Sequence, residues 1–266
     1  MQREQIKLAA ELLIQRRLSN QLTARLDKVL RPETVDQALA IQQQLINQMP
    51  DTVGGWKTAL PISDSGMNDL PVVAPIFSNT VYDRSPCPIH LDEGVCKIEP
   101  EIAFRFQHDL PARNKAYSDQ EITEALSGAH LSLELIQNRY LQSEEAGFLE
   151  HLADCLFNQG LYIGPEISLD QAFSASHIDL TLTRFPDASD TNSPAIEVLA
   201  GIHPNQYPQL PLFWLVNFLS QRGIDIKAGQ YVITSSYAGV IEIPAAQHFS
   251  LQYGGLGGIS LGFELS

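Results

Sequence analysis

The run Val-Cys-Lys-Ile-Glu-Pro-Glu-Ile-Ala-Phe-Arg-Phe at 95–106 constrains the fold of this chain more than any other stretch. Cys96, Ile98, Pro100, Ile102, Phe104 and Phe106 share one parity; Val95, Lys97, Glu99, Glu101, Ala103 and Arg105 share the other. Side chains of a strand alternate between faces, so the pattern predicts one face built for a core and two carboxylates projecting together from the opposite face. Like charges at i and i+2 repel unless water or a cation separates them. A second run, Ala129 to Ile136, repeats the arrangement, with Leu131, Leu133 and Leu135 on the apolar side and His130, Ser132 and Glu134 on the polar side. Two readings stand. The charges belong to solvated faces of ordinary antiparallel strands, or three carboxylates without a thiolate or imidazole cluster serve a hard divalent cation such as Mg²⁺ or Mn²⁺.

A chain of 266 residues can bury a sizeable core as one large domain, or as one domain with a smaller attachment. No apolar run is long enough for a membrane span, and the N-terminus lacks the pattern of a signal peptide. A cytoplasmic location is therefore expected. Three cysteines, Cys87, Cys96 and Cys155, suggest neither a disulfide framework nor a zinc site. The net charge of −14 argues against a nucleic-acid surface. It also requires that any pocket for a small anion be locally positive.

Helical spacing of Ile6, Ala9, Ala10, Leu13 and Ile14 predicts a first helix over 3–16. A second is expected after Arg31, with Pro32 near its first turn and Pro50-Asp51 beyond its end. Residues 61–90 read as a long loop with short strands. Ser118 to Glu121 reads as a capping box opening a helix over 119–127, and 141–153 as a polar helix, either solvated or a lid. Short strands are expected near 156–163, 178–184, 230–236, 248–253 and 258–264. A helix near 210–222 should end at Gly223 in the left-handed region. The glycines at 254–258 form a tight turn and do not fit a dinucleotide fingerprint. Helices collected mainly at the start of a strand-rich chain indicate an α+β fold with antiparallel or mixed sheet.

The order of several motifs is more specific than any one of them. Gly55-Trp-Lys-Thr-Ala-Leu60, Lys97-Ile-Glu-Pro-Glu-Ile-Ala-Phe104, Leu133-Glu-Leu-Ile-Gln-Asn-Arg139 and Ala153-Asp154 are followed by Trp214-Leu-Val-Asn217, Gly223 to Gly229, Thr234-Ser-Ser236 and Gly254-Gly-Leu-Gly257. Together they resemble the 2-keto-4-pentenoate hydratase and 4-oxalocrotonate decarboxylase family, within the fumarylacetoacetate hydrolase superfamily. The resemblance implies a mixed β-roll or barrel-like core over 53–266, carrying the catalytic site, and an N-terminal helical portion over 1–52, the whole being one structural unit. It implies Mg²⁺ or Mn²⁺ held by Glu99, Glu101 and Glu134, a small anionic 2-oxo acid as substrate, and a homo-oligomer. Lys57 matches the lysine of the family's G-W-K motif and is expected in carboxylate positioning or proton transfer, the latter helped if the cation lowers its pKa. Arg139 and Ser236 match positions near the substrate, although an internal ion pair and a turn serine account for them equally well.

Departures from the family pattern bear on activity. Pro75-Ile76-Phe77-Ser78 stands where the family often has P-D-F-G or P-D-Y-G, so a carboxylate expected beside the lysine is isoleucine. Gln137, Cys155 and Ser235 replace an aspartate, an asparagine and a glycine of the family motifs. Pro100, between the two glutamates, cannot donate to a ladder and predicts an edge or a bulge. The expected activity is that of a lyase on 2-oxo or 2-hydroxydienoic acids, with hydration of 2-hydroxypenta-2,4-dienoate preferred. Decarboxylation of an oxalocrotonate is the alternative, and a metal-binding homologue with altered or lost catalysis is a further one.

Overall fold

In a computed structural model, which describes residues 1–62, 70–141, 145–186, 193–245 and 247–266, the chain begins with two packed helices. Helix α1 spans Arg3–Ser19 and α2 Val35–Gln48. Ala9, Ala10, Leu13 and Ile14 form the buried stripe of α1. Thr34, not Pro32, starts α2: its side chain accepts from the Gln37 N–H, leaving the proline in the approach segment.

Strands β1 (Val53–Ile62), β2 (Leu70–Phe77), β3 (Val81–Tyr82), β4 (Cys87–Ile89) and β5 (Val95–Phe106) follow. Helix α3 (Asp119–Glu124) opens on the expected capping box but yields early to β6 (Leu126–Ile136). Helix α4 (Phe148–Ala153) leads to β7 (Asn158–Ile167), and α5 (Leu169–Ser174) leads to β8 (His177–Arg184) and β9 (Ala195–Ile202). Helix α6 (Gln209–Gln221) ends before Gly223, whose φ is 75°. The last strands are β10 (Tyr231–Ile233), β11 (Ile241–Pro244), β12 (Phe249–Tyr253), β13 (Gly258–Leu261) and β14 (Phe263–Leu265).

The main sheet runs β2-β1-β10-β5-β6-β7-β3, with β11 pairing β5 beyond the end of β10. β1/β10 and β3/β7 are parallel and the other pairs antiparallel. The sheet curls into a half barrel, the expected α+β roll. A second sheet, β13-β12-β8-β9, packs alongside. One apolar core runs from Ala9 and Leu13 of α1 through Ile98, Phe104 and Leu133 to Leu251 and Leu261. All six apolar-parity residues of β5 are buried. Their burial, with that of Leu131, Leu133 and Leu135, fixes the β5/β6 register. In that register Glu99 lies opposite Glu134, and Glu101 opposite Ser132.

Three local readings change. β2 is a full strand inside the stretch expected as a loop, because Val73, Ala74, Ile76 and Phe77 find burial on both faces; 63–69 lie outside the described residues. The segment expected as a solvated helix or lid contains the short α4, whose Glu150 is buried and paired with Arg25 and Arg31; 142–144 lie outside the described residues. Pro100 occupies a central strand. It is tolerated because β10 and β11 leave a gap along β5, bridged by residues 234–240, where the Pro100 carbonyl accepts from the Tyr237 N–H and no donor is required of the proline.

Candidate metal centre

The three glutamates converge on the inner face of the half barrel. Oxygens of Glu99, Glu101 and Glu134 lie within 4.8 Å of one another. Glu101 and Glu134 are buried and Glu99 opens toward solvent. Each of the two buried carboxylates has its own tether. Glu101 Oε2 accepts from the Ser235 N–H at 2.6 Å, and Glu134 Oε1 accepts from Asn158 Nδ2 at 2.8 Å. Lys57, on β1 across β10 from β5, places Nζ 2.8 Å from Glu134 Oε2 and donates to the Leu156 carbonyl at 3.1 Å.

One ammonium faces three carboxylates, and the electrostatics follow from that imbalance. Burial, together with Glu134, pushes the Glu99 carboxyl up to about 7 against the pull of Lys57. Burial, Glu134 and Glu99 push Glu101 well above the usual carboxylate range. Burial alone would lower the pKa of Lys57, but Glu134, Glu99 and Glu101 outweigh it and hold the ammonium above its ordinary value. Three mutually repelling oxygen donors, two of them fixed by neutral hydrogen-bond partners, form a donor set that fits a hard divalent cation. Sites for softer metals would carry sulfur or nitrogen ligands.

A cavity of about 590 Å³ gives access to this centre, lined by Lys57, Glu99, Phe157 and Asn138, with Lys97 and Glu242 toward its rim. Lys97 is already engaged by Asp92 and Glu93. On the sheet's inner face, Ile76, Ala103, Leu161, Ile163 and Ile233 form a separate apolar cluster. Ile76 lies two residues along β2 from Ala74, the cross-strand neighbour of Lys57. An apolar side chain therefore stands on the face where a carboxylate would have been expected.

Arg139 and Ser236 sit elsewhere. Arg139 is buried and spent internally: Nε donates to Asp154 Oδ2 at 3.0 Å, Nη2 to the Asp154 carbonyl at 2.6 Å and Nη1 to the Asn158 carbonyl at 3.1 Å. Ser236 Oγ donates to the Gly239 carbonyl in a turn, and it is the preceding residue, Ser235, that meets Glu101. Ser235 has a φ of 104°, a conformation suited to glycine.

Sequence reading missed three participants. Asn158 and the Leu156 carbonyl reach the site through a tight left-handed turn in which Cys155, Leu156 and Phe157 have φ values of 63°, 47° and 65°. No spacing rule announces such a turn in non-glycine residues. Arg17, the third, donates through Nη2 to the Asn158 carbonyl at 2.7 Å. A signal existed for it, since position 17 is where the buried stripe of α1 next returns.

No family model matches the chain. It superposes over 99% of its length on 99% of 4-oxalocrotonate decarboxylase from Pseudomonas putida G7, at 18% identity. The TM-score is 0.76 for the structure complexed with magnesium and adipate, and 0.74 for that with calcium and acetate. A putative fumarylacetoacetate hydrolase family protein from Yersinia pestis CO92 aligns over 81% of this chain and 95% of its own, at 18% identity and a TM-score of 0.53. Likeness at these identities establishes the fold.

Proposed function

We infer that this chain, which has the fumarylacetoacetate hydrolase fold, is a divalent-metal-dependent lyase acting on small 2-oxo acids. The observation that carries the reading is the triad Glu99, Glu101 and Glu134, two of them buried, with Lys57 seated on it at the end of an open cavity. The likeness to a decarboxylase solved with magnesium and with a dicarboxylate supports it. A bound Mg²⁺ would supply Lewis-acid stabilisation of negative charge developing on the 2-oxo oxygen.

The protein's own groups do the rest. Glu101 and Glu134 are held in place by the Ser235 N–H and the Asn158 amide, so little reorganisation is needed on binding. In the metal-free protein the three carboxylates hold Lys57 as an ammonium, 2.8 Å from Glu134, and this places a proton donor beside the site. In a decarboxylation the bond to the departing carboxylate breaks, and its electron pair passes into the conjugated 2-oxo system. Lys57 then returns a proton to carbon and is reprotonated from solvent. No water need be activated. Isoleucine at position 76 favours this reaction over hydration, which requires a group to deprotonate water.

Hydration of a 2-hydroxydienoate is the second reading, favoured by the rim. Asp92, Glu93 and Glu242 outnumber Lys97 there and oppose entry of a second carboxylate. Purified protein with Mg²⁺ is to be offered oxalocrotonate and 2-hydroxypenta-2,4-dienoate, each followed by its ultraviolet absorbance. Metal-dependent loss of oxalocrotonate with release of CO₂ is expected. Consumption of the dienoate alone would favour hydration, and turnover of neither would overturn the lyase reading.

A further inference from the structure

The N-terminal helix could be no more than packing for the half barrel, yet it sends a guanidinium to the underside of the metal centre. Arg17 Nη2 donates to the Asn158 carbonyl at 2.7 Å, and Arg139 Nη1 donates to that same oxygen at 3.1 Å. The Asn158 side-chain amide holds Glu134 Oε1 at 2.8 Å. The Arg17 guanidinium also lies over the Phe77 ring, 5.3 Å from its centre. The left-handed turn at 155–157 is thus clamped by two arginines from elements far apart in sequence. From this turn the Leu156 carbonyl reaches Lys57, and Asn158 reaches Glu134.

This arrangement is costly for a packing contact. Two like charges converge on one carbonyl in a buried setting, with Asp154 as the nearby counter-charge that pairs with Arg139. Leucine or methionine at position 17 would continue the stripe of Ala10, Leu13 and Ile14 without that repulsion. Three consecutive non-glycine residues with positive φ add a backbone cost of the kind that persists only where surrounding groups over-determine it.

We propose that Arg17 is a positioning residue for the metal centre, acting through Asn158 on Glu134 and through the 155–157 turn on Lys57. The inference rests on the reading of the triad as a cation site. It makes α1 part of the site's support, and not only of its core. Groups that orient metal ligands commonly change affinity by tenfold to a hundredfold when removed.

Three full-length proteins test it: wild type, Arg17→Met and Leu13→Ala. Arg17→Met keeps an aliphatic stem on the stripe and removes the donors; Leu13→Ala loosens the same helix without touching Asn158. Calorimetric titration of Mg²⁺ into each folded protein is expected to show at least tenfold weaker binding for Arg17→Met and a change within about twofold for Leu13→Ala. Arg17→Lys should recover part of the loss. Equal affinity for wild type and Arg17→Met, or equal weakening by Leu13→Ala, would overturn the proposal.

Wild type that binds no Mg²⁺ would defeat the metal reading itself, so a metal-free readout is needed too. A crystal structure of Arg17→Met is expected to show the 155–157 turn displaced and the Asn158–Glu134 hydrogen bond broken. An unchanged turn and hydrogen bond would overturn the positioning role whatever the metal result.

Discussion

Replacing Glu101 by glutamine should make the metal-free protein more stable and at the same time abolish its response to Mg²⁺. The substitution removes one charge while leaving an amide oxygen to accept from the Ser235 N–H, and the new amide N–H groups face the carboxylate oxygens of Glu99 and Glu134 as acceptors. Carboxylate oxygens of the triad lie within 4.8 Å of each other. One pair at that distance repels by about 3 kcal/mol at an effective dielectric constant near 20. Attraction to Lys57 offsets part of this, so a net gain of about 1–2 kcal/mol is expected. If the native state takes up a proton to avoid the repulsion, the cost of that uptake replaces it and glutamine removes it likewise. For a chain of this size the gain corresponds to a rise in Tm of roughly 2–8 °C. Mg²⁺ at a hundred times its Kd should stabilise wild type by about 2.7 kcal/mol. Calorimetric melts at pH 8, with EDTA and with saturating Mg²⁺, read both effects. A metal-free variant less stable than wild type would refute the electrostatic argument. A Mg²⁺ shift equal to that of wild type would remove Glu101 from the site.

Two other perturbations address the supports around the triad. Ser235→Gly should relieve a residue held at a φ of 104° and raise stability by about 1 kcal/mol, with Mg²⁺ affinity preserved because the backbone N–H remains. A lower Tm would show that the Ser235 hydroxyl, on the Thr58 carbonyl, matters more than the strain. His203 is buried edge-on against Tyr237, its Nδ1 accepts from the Asn205 N–H at 3.2 Å, and burial lowers its pKa to about 4. Between about 4 and the ordinary 6.5 the unfolded chain binds a proton that the native state refuses. Stability is therefore full above pH 6.5 and falls as pH drops toward 4, by at most about 3 kcal/mol. Urea denaturation at pH 7 and pH 5 should show a smaller pH dependence in His203→Gln, and an unchanged one would exclude His203 as its source.

The parts of the site legible in sequence are those that secondary structure alone brings together. Alternation along 95–106 and 129–136 is enough to put Glu99, Glu101 and Glu134 on one face of paired strands, and the motif around Lys57 marks that residue, which lies in the middle of β1. Boundaries of β5 and the terminus of α6 at Gly223 follow from equally local rules. What was not legible depends on tertiary override. β2 becomes a strand because burial rewards Val73 and Ile76, despite the Pro and Asp around it. Glu150 is buried because Arg25 and Arg31 reach it from far away in the chain. Arg139 carries no mark in sequence of whether it faces substrate or Asp154. Asn158 acquires its role from a turn whose backbone conformation its residues do not favour.

Glu99 faces Glu134 directly across the β5/β6 pair, and like charges in that position disfavour the pairing that creates them. The register is therefore dictated from the other side of the sheet, where a slip by one residue would turn Leu131, Leu133 and Leu135 out of the core. The binding centre is a passenger on that choice and contributes nothing to making it. Such an arrangement separates inheritance of the scaffold from inheritance of the chemistry. Mutations that erase the carboxylates leave the strands free to pair as before, so a lineage carrying this sheet can shed the activity, or retune it at position 76, without having to find a new way to fold.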